Sequence, residues 1–130
     1  MSPRLAGRRK PCTIADARAR LHDAEAFLDA AHTSRDPDVI ATNAIHSAIA
    51  AADAICCAGL RERSAVGNHQ TAADLLGQLD KSLAAVLRRA LDRKQQAAYE
   101  ARDIAASDAK ACVRQATTLI DAARTRVQGI

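Results

Sequence analysis

The stretch DVIATNAIHSAIAAADAICCAGL, residues 38–60, decides the fold. Its Ala and Ile residues recur at spacings of three and four, which is the period of an α-helix. Because further alanines extend the apolar surface beyond one stripe, we expect neighbours to cover this helix on several sides, as in the centre of a bundle. Asp36 suits the N-cap and Pro37 the first helical position, and Gly59 predicts the end of the helix.

One polar stripe interrupts this apolar helix and carries Asn43, His46, Asp53 and Cys57. Two helical turns separate His46 from Asp53, so the two side chains share a face without touching directly. A polar face on an otherwise buried helix has two interpretations. It lines a functional cleft between subunits, or it satisfies hydrogen bonds at an interface.

The segment before this helix also has a helical period. Thr13 and Asp16 form a variant of the capping box and predict a helix that runs to His32. Its apolar residues make one seam, which leaves Arg18 and Arg20 among the expected solvated side chains.

Three further helices are expected downstream. One begins near Asn68 and weakens at Gly77, one is capped by Asp80, and the last is capped by Ser107 and ended by Gly129. With no strand pattern, these segments predict an all-α fold, an up-and-down bundle of four to five helices.

The chain has 130 residues, the size of one ordinary domain, which we assign to residues 13–128. Ala-rich seams bury little area each, so we expect a homodimer, with the central helix as its surface. Residues 1–12 should be a flexible basic arm. This arm is either a solvated tail or a contact to a phosphate backbone, and its charge comes from Arg4, Arg8, Arg9 and Lys10.

Membrane insertion and cysteine chemistry are not expected. Asp53 interrupts the best apolar run and no signal-peptide pattern opens the chain, so the sequence indicates a soluble cytoplasmic protein. The cysteines show no CxxC spacing, and two neighbours in sequence point to different faces of a helix. We therefore expect no metal, no cofactor and four reduced core thiols: Cys12, Cys56, Cys57 and Cys112.

Three stretches, NAIHSAIAAADAICCAGL, GNHQTAADLL and KQQAAYEARDIAASDAKACVRQA, together resemble HEPN domains over roughly residues 13–126. These are small α-helical domains found in bacterial toxin–antitoxin pairs and beside minimal nucleotidyltransferases. Many of them are metal-independent ribonucleases whose signature is an Arg, four to six residues, then a His. Arg63 and His69, with five residues between them, match that spacing.

The resemblance implies a function for this pair. RNA would be cleaved with its own 2′-hydroxyl as nucleophile, and each of two subunits would supply one motif. Histidine can move protons near neutral pH, while arginine keeps its charge and can bind the phosphate. The polar stripe of Asn43, His46 and Asp53 would complete the site. The antitoxin, or a nucleotidyltransferase-type protein, would be a separate chain.

The motif also departs from the catalytic pattern. Ser64 follows the arginine where catalytic members usually have Asn, the motif precedes the third helix, and Thr71 replaces a tyrosine that some toxins have. His69 could also be a residue that caps or packs the helix start. The alternative function is therefore a non-catalytic HEPN module, antitoxin-like, that binds a partner protein or a nucleotide.

Overall fold

A computed structural model of the chain describes residues 9–65, 69–100 and 104–129, and the side chains of all of these except 94–100. Arg4, Arg8 and the expected helix start at Asn68 lie outside the described residues. The described residues form five helices and one two-stranded ribbon, so the all-α prediction is confirmed with a small addition. The elements are β1 (Arg9–Pro11), α1 (Ile14–Thr33), α2 (Pro37–Leu60), β2 (Glu62–Ser64), α3 (His69–Leu79), α4 (Lys81–Glu100) and α5 (Ala106–Gln128).

Helix α2 is the centre of the bundle, as its sequence predicts. It packs mainly between α1 and α5 and also contacts α3 and α4. Every residue from Ser47 to Cys57 is buried, because alanine side chains allow the neighbouring helices to approach closely. The same packing buries most of α2 against helices of its own chain, so only the rest of α2 is left for the homodimer surface that the sequence predicts.

Three predicted helix caps are confirmed. The Thr13 N–H donates to Asp16 Oδ2 at 2.8 Å and the Asp16 N–H donates to Thr13 Oγ1 at 3.1 Å, which completes a capping box. Asp36 Oδ1 accepts from the Asp38 N–H at 2.8 Å. Asp80 Oδ1 accepts from the Leu83 N–H at 3.0 Å, next to the start of α4.

Two predicted helix boundaries are wrong. Helix α2 continues through Gly59. A Cβ at this position would lie 2.7 Å from Leu79 Cδ1, so the absence of a side chain leaves room for Leu79 at the end of α3 instead of ending α2. Arg61 then ends α2 in the left-handed conformation, with φ of 57°. The N-cap of α5 is Ala105 instead of Ser107, and it makes no side-chain cap.

The end of the basic arm, Arg9–Pro11, forms strand β1 within the range 1–12 that the sequence predicts to be flexible. Strands β1 and β2 pair antiparallel, with Lys10 opposite Arg63, and Arg9 Nε lies 2.7 Å from Glu62 Oε2. A disulfide joins Cys12 to Cys57 across 45 residues of sequence. The expected reduced state is therefore wrong for this pair, because the ribbon brings Cys12 to the end of α2.

Helix α2 is long and apolar enough to cross a bilayer, although the position of Asp53 predicts otherwise. Its mean hydropathy is 1.4 in its best window. Core helices of soluble proteins have the same length and composition. In this fold, 72% of that window is buried.

Candidate functional site

A small cavity with mostly charged and polar lining residues opens where α1, α2, β2 and the first residue of α3 meet. Its volume is about 240 Å³. We call it the Asp53 cavity, after the carboxylate on its α2 wall. Its lining residues are Arg20, Ile49, Asp53, Arg63, Ser64, Ala65 and His69.

The Asp53 side chain is only 8% exposed and is held by arginines. Arg20 donates from Nε and Nη2 to Asp53 Oδ2, at 3.2 and 3.0 Å. Arg63 Nη1 lies 3.7 Å from the same oxygen. Arg20 Nη1 also donates to Asp23 at 3.1 Å. A buried carboxylate needs such partners, because desolvation without them is costly.

Burial raises the pKa of Asp53 above its usual value. The cationic or protonatable side chains around the carboxylate oppose this rise. The Arg20 guanidinium lowers the pKa most, by its charge and its hydrogen bonds, and the charges of Arg63 and His69 follow. All three cationic or protonatable groups of the cavity therefore act on one carboxylate.

The β-ribbon places Arg63 at the cavity. Arg61 turns the chain out of α2 in the left-handed conformation, and β2 then runs back along β1. The Cys12 N–H donates to the Arg61 carbonyl oxygen at 2.9 Å, next to the Cys12–Cys57 disulfide. These links attach Arg63 to the end of α2 by both covalent and hydrogen bonds.

His69 is the first residue of α3, is half-buried and lines the cavity. The structure thus brings together three side chains singled out from the sequence: Asp53, Arg63 and His69. It does so although Arg63 and His69 lie on different elements.

Asn43 and His46 do not line this cavity. Asn43 Nδ2 donates to the Val39 carbonyl oxygen of its own helix at 3.1 Å. The His46 ring stacks on Phe27 of α1, with ring centroids 5.4 Å apart and planes at 29°. Within the polar stripe, Asn43 therefore bonds the backbone of α2 and His46 packs on α1, and neither side chain reaches the cavity.

Arg20 is the site residue that sequence reasoning missed, since it was assigned to the solvated face of α1. One signal could have found it. An aspartate in the middle of a buried helix requires a cation nearby, and α1 offers Arg18 and Arg20 at the edge of its apolar seam. The structure selects Arg20, whose side chain is 24% exposed.

The cavity holds two guanidinium groups and an imidazole against one carboxylate of its own, with Asp23 beside it. Such a set can bind an oxyanion and transfer a proton. Among the described residues, no group of three His, Cys, Asp or Glu side chains could hold a metal ion. Burial raises the pKa of the Cys56 thiol to about 12, so this thiol is no nucleophile at neutral pH.

Comparison with known proteins identifies no family and no relative of this chain. No protein-family model matches the chain, and neither a curated protein nor a solved structure matches it.

Proposed function

We propose that this protein is a HEPN-type endoribonuclease, the toxin of a toxin–antitoxin pair, that cleaves RNA without a metal ion. The observation that supports the proposal is the Asp53 cavity, which Arg63 and His69 line together. Arg63 and Arg20 supply positive charge for a phosphate, and His69 supplies a group that exchanges protons near neutral pH.

The proposed reaction is an internal transesterification. A base removes the proton of a ribose 2′-hydroxyl, the oxygen bonds to the adjacent phosphorus, and the bond from phosphorus to the 5′-oxygen breaks. An acid then protonates the departing 5′-oxygen. The products are a 2′,3′-cyclic phosphate and a 5′-hydroxyl end. His69 of one copy performs one of these proton transfers and His69 of a second copy the other, which is why the proposal includes a homodimer.

The arginines bind the non-bridging phosphate oxygens and stabilise the charge that develops on them. Arg63 is suited to this role because its Nη1 lies 3.7 Å from Asp53, a looser contact than the 3.0 Å contact of Arg20. Asp53 acts as a positioning residue: it holds both guanidiniums at the cavity before RNA arrives. The proposed partner is a separate antitoxin or nucleotidyltransferase-type protein that blocks the cavity.

The test is incubation of the purified protein with mixed RNA in excess EDTA, followed by analysis of the cleaved ends. We expect cyclic phosphate ends from the wild type, and a loss of rate of about 100-fold or more in His69→Ala and in Arg63→Ala. His22→Ala and Arg89→Ala are matched controls, because both residues are exposed and lie outside the cavity. Circular dichroism establishes that each variant is folded, and light scattering gives the oligomeric state.

A second candidate function is a non-catalytic HEPN module, antitoxin-like, that binds a partner protein or a nucleotide. The observation that favours it is the pairing of both cavity arginines with Asp53, which partly neutralises the charge that the cavity offers to RNA. Intact RNA in the cleavage assay, together with retention of a labelled nucleotide that Arg63→Ala weakens, would exclude the nuclease and support a nucleotide-binding module. Intact RNA without nucleotide retention would exclude both the nuclease and nucleotide binding, and would leave a partner protein as the ligand of the module.

A further inference from the structure

A second and larger cavity lies on another side of the bundle, between the end of α1, the start of α2 and the first half of α5. Its volume is about 570 Å³, within the range of roughly 300–1,000 Å³ that is typical of small-molecule sites. None of its lining residues belongs to the Asp53 cavity, so a ligand bound here would contact a different set of side chains.

The floor of this cavity is apolar because of short side chains. Ala31 of α1 and Ala109 of α5 are 1% and 2% exposed, and Ile40 and Val113 complete the walls. Alanines at the point where α1, α2 and α5 meet leave a hollow that longer side chains would fill. An apolar hollow of this kind favours an aliphatic or aromatic group over water.

The rim of the cavity is cationic. His32 and Arg35 lie on the side of α1 and α2, and Lys110 and Arg114 lie on α5. In the described part of the chain, Arg35, Lys110 and Arg114 form no ion pair. Among the residues whose side chains the structure describes, no carboxylate lines the cavity.

Three acidic residues are adjacent in sequence to lining residues, and each is already engaged. Asp108 Oδ1 of α5 lies 3.4 Å from Arg93 Nε. Asp36 Oδ1 accepts from the Asp38 N–H at 2.8 Å and from the Val39 N–H at 3.4 Å. Asp38 Oδ1 accepts from the Ile104 N–H at 2.8 Å. The Asp36 and Asp38 carboxylates therefore accept from backbone N–H groups at the start of α2 and before α5, and the Asp108 carboxylate pairs with an arginine outside the cavity. The positive rim is available for an anion from outside the protein.

We propose that this cavity binds a small amphipathic anion, an aliphatic carboxylate whose chain enters the alanine floor and whose head group pairs with Arg35, Lys110 and Arg114. Apolar burial supplies the affinity and the cations fix the orientation. The charge of the rim selects a carboxylate over a neutral or cationic amphiphile, and the volume limits the ligand to one molecule of small-molecule size.

The test is isothermal titration calorimetry of the wild-type protein with decanoate below its micellar concentration, and with decyltrimethylammonium as the probe of opposite charge. Three variants complete the set. Lys110→Glu combined with Arg114→Glu reverses the rim, Ala106→Trp fills the mouth from an exposed position on α5, and Arg89→Glu reverses an exposed charge on α4 as the matched control.

We expect decanoate to bind with one site per chain and the ammonium probe to bind at least about tenfold more weakly. The rim variant should lose about tenfold or more in decanoate affinity, Ala106→Trp should abolish binding, and Arg89→Glu should bind as the wild type does. The proposal fails if decanoate does not bind, if both probes bind equally, or if Ala106→Trp binds with unchanged affinity and stoichiometry while folded by circular dichroism.

Discussion

Arg20 of α1 and Asp53 of α2 are joined by two hydrogen bonds to one carboxylate oxygen, at 3.2 and 3.0 Å, across 33 residues of sequence. This pair crosses the most extensive helix contact of the bundle, and the Asp53 side chain is almost fully buried beneath it. The pair therefore stabilises the packing of α1 on α2 and also forms part of the Asp53 cavity.

Arg20→Ala should destabilise the protein by about 2–3 kcal/mol, because it leaves a buried carboxylate with Arg63 as a more distant partner. The measurement is the free energy of unfolding in urea near neutral pH. Arg18→Ala is the matched control, since Arg18 is exposed on the same helix, and it should be nearly neutral. Equal effects of the two substitutions would contradict the assigned role of Arg20.

The cost of Arg20→Ala should shrink as the pH falls. Burial raises the pKa of Asp53 in the wild type, and Arg20 is the largest influence that opposes the rise, so its removal raises the pKa further. As the pH falls, the folded variant takes up a proton on Asp53 before the folded wild type does, and its free energy of unfolding recovers relative to the wild type. Urea unfolding at about pH 7 and about pH 5 measures this recovery. A gap that widens on acidification would contradict it.

Close helix packing gives a further prediction. Ser47 Oγ donates to the Ala24 carbonyl oxygen at 2.7 Å, so α1 and α2 nearly touch at Ala24, which is fully buried. Ala24→Leu should cost about 1–3 kcal/mol or more, because no space exists for the added carbons. Ala26→Leu, at an exposed position of the same helix, should have little effect. Thermal unfolding compares the two, and a larger loss in Ala26→Leu would contradict the packing.

The cap of α1 gives another prediction. Thr13→Ala removes the hydroxyl that accepts from the Asp16 N–H, and should destabilise the protein by about 1 kcal/mol. Thr117 is a matched control, because its hydroxyl donates to the Val113 carbonyl oxygen inside α5. Thr117→Ala should leave stability unchanged or slightly higher, since alanine is the better helix former. Urea unfolding distinguishes these opposite signs, and a loss in Thr117→Ala alone would contradict them.

The helices were predictable because their signals are local. The Ala and Ile period of α2 and the pairing of Thr13 with Asp16 each depend on residues three or four positions apart in the sequence. Gly59 shows the limit of such signals: a local pattern interprets it as a stop, whereas its use depends on Leu79, twenty residues later. A contact between elements decides that position, and no local pattern contains it.

The candidate site was predictable in part. Asp53, Arg63 and His69 stand out by residue type and spacing, and the fold gathers them. Arg20 does not stand out from Arg18, because the choice between them depends on how α1 is rotated against α2. The ribbon that positions Arg63 was not predictable either, since strands of three residues have no period to detect.

The disulfide gives the last prediction. Cys12 and Cys57 are bonded, whereas Cys56 and Cys112 are free and buried, so the protein prepared without reductant should release two thiols per chain on unfolding. Thiol titration in denaturant counts them, and four thiols would contradict the bond. Cys12→Ser should lower the free energy of unfolding by about 2–4 kcal/mol, because the bond closes a 45-residue separation in the unfolded chain. Reductant should destabilise the wild type by a similar amount and leave Cys12→Ser unchanged, which separates loss of the bond from the effect of the substituted side chain.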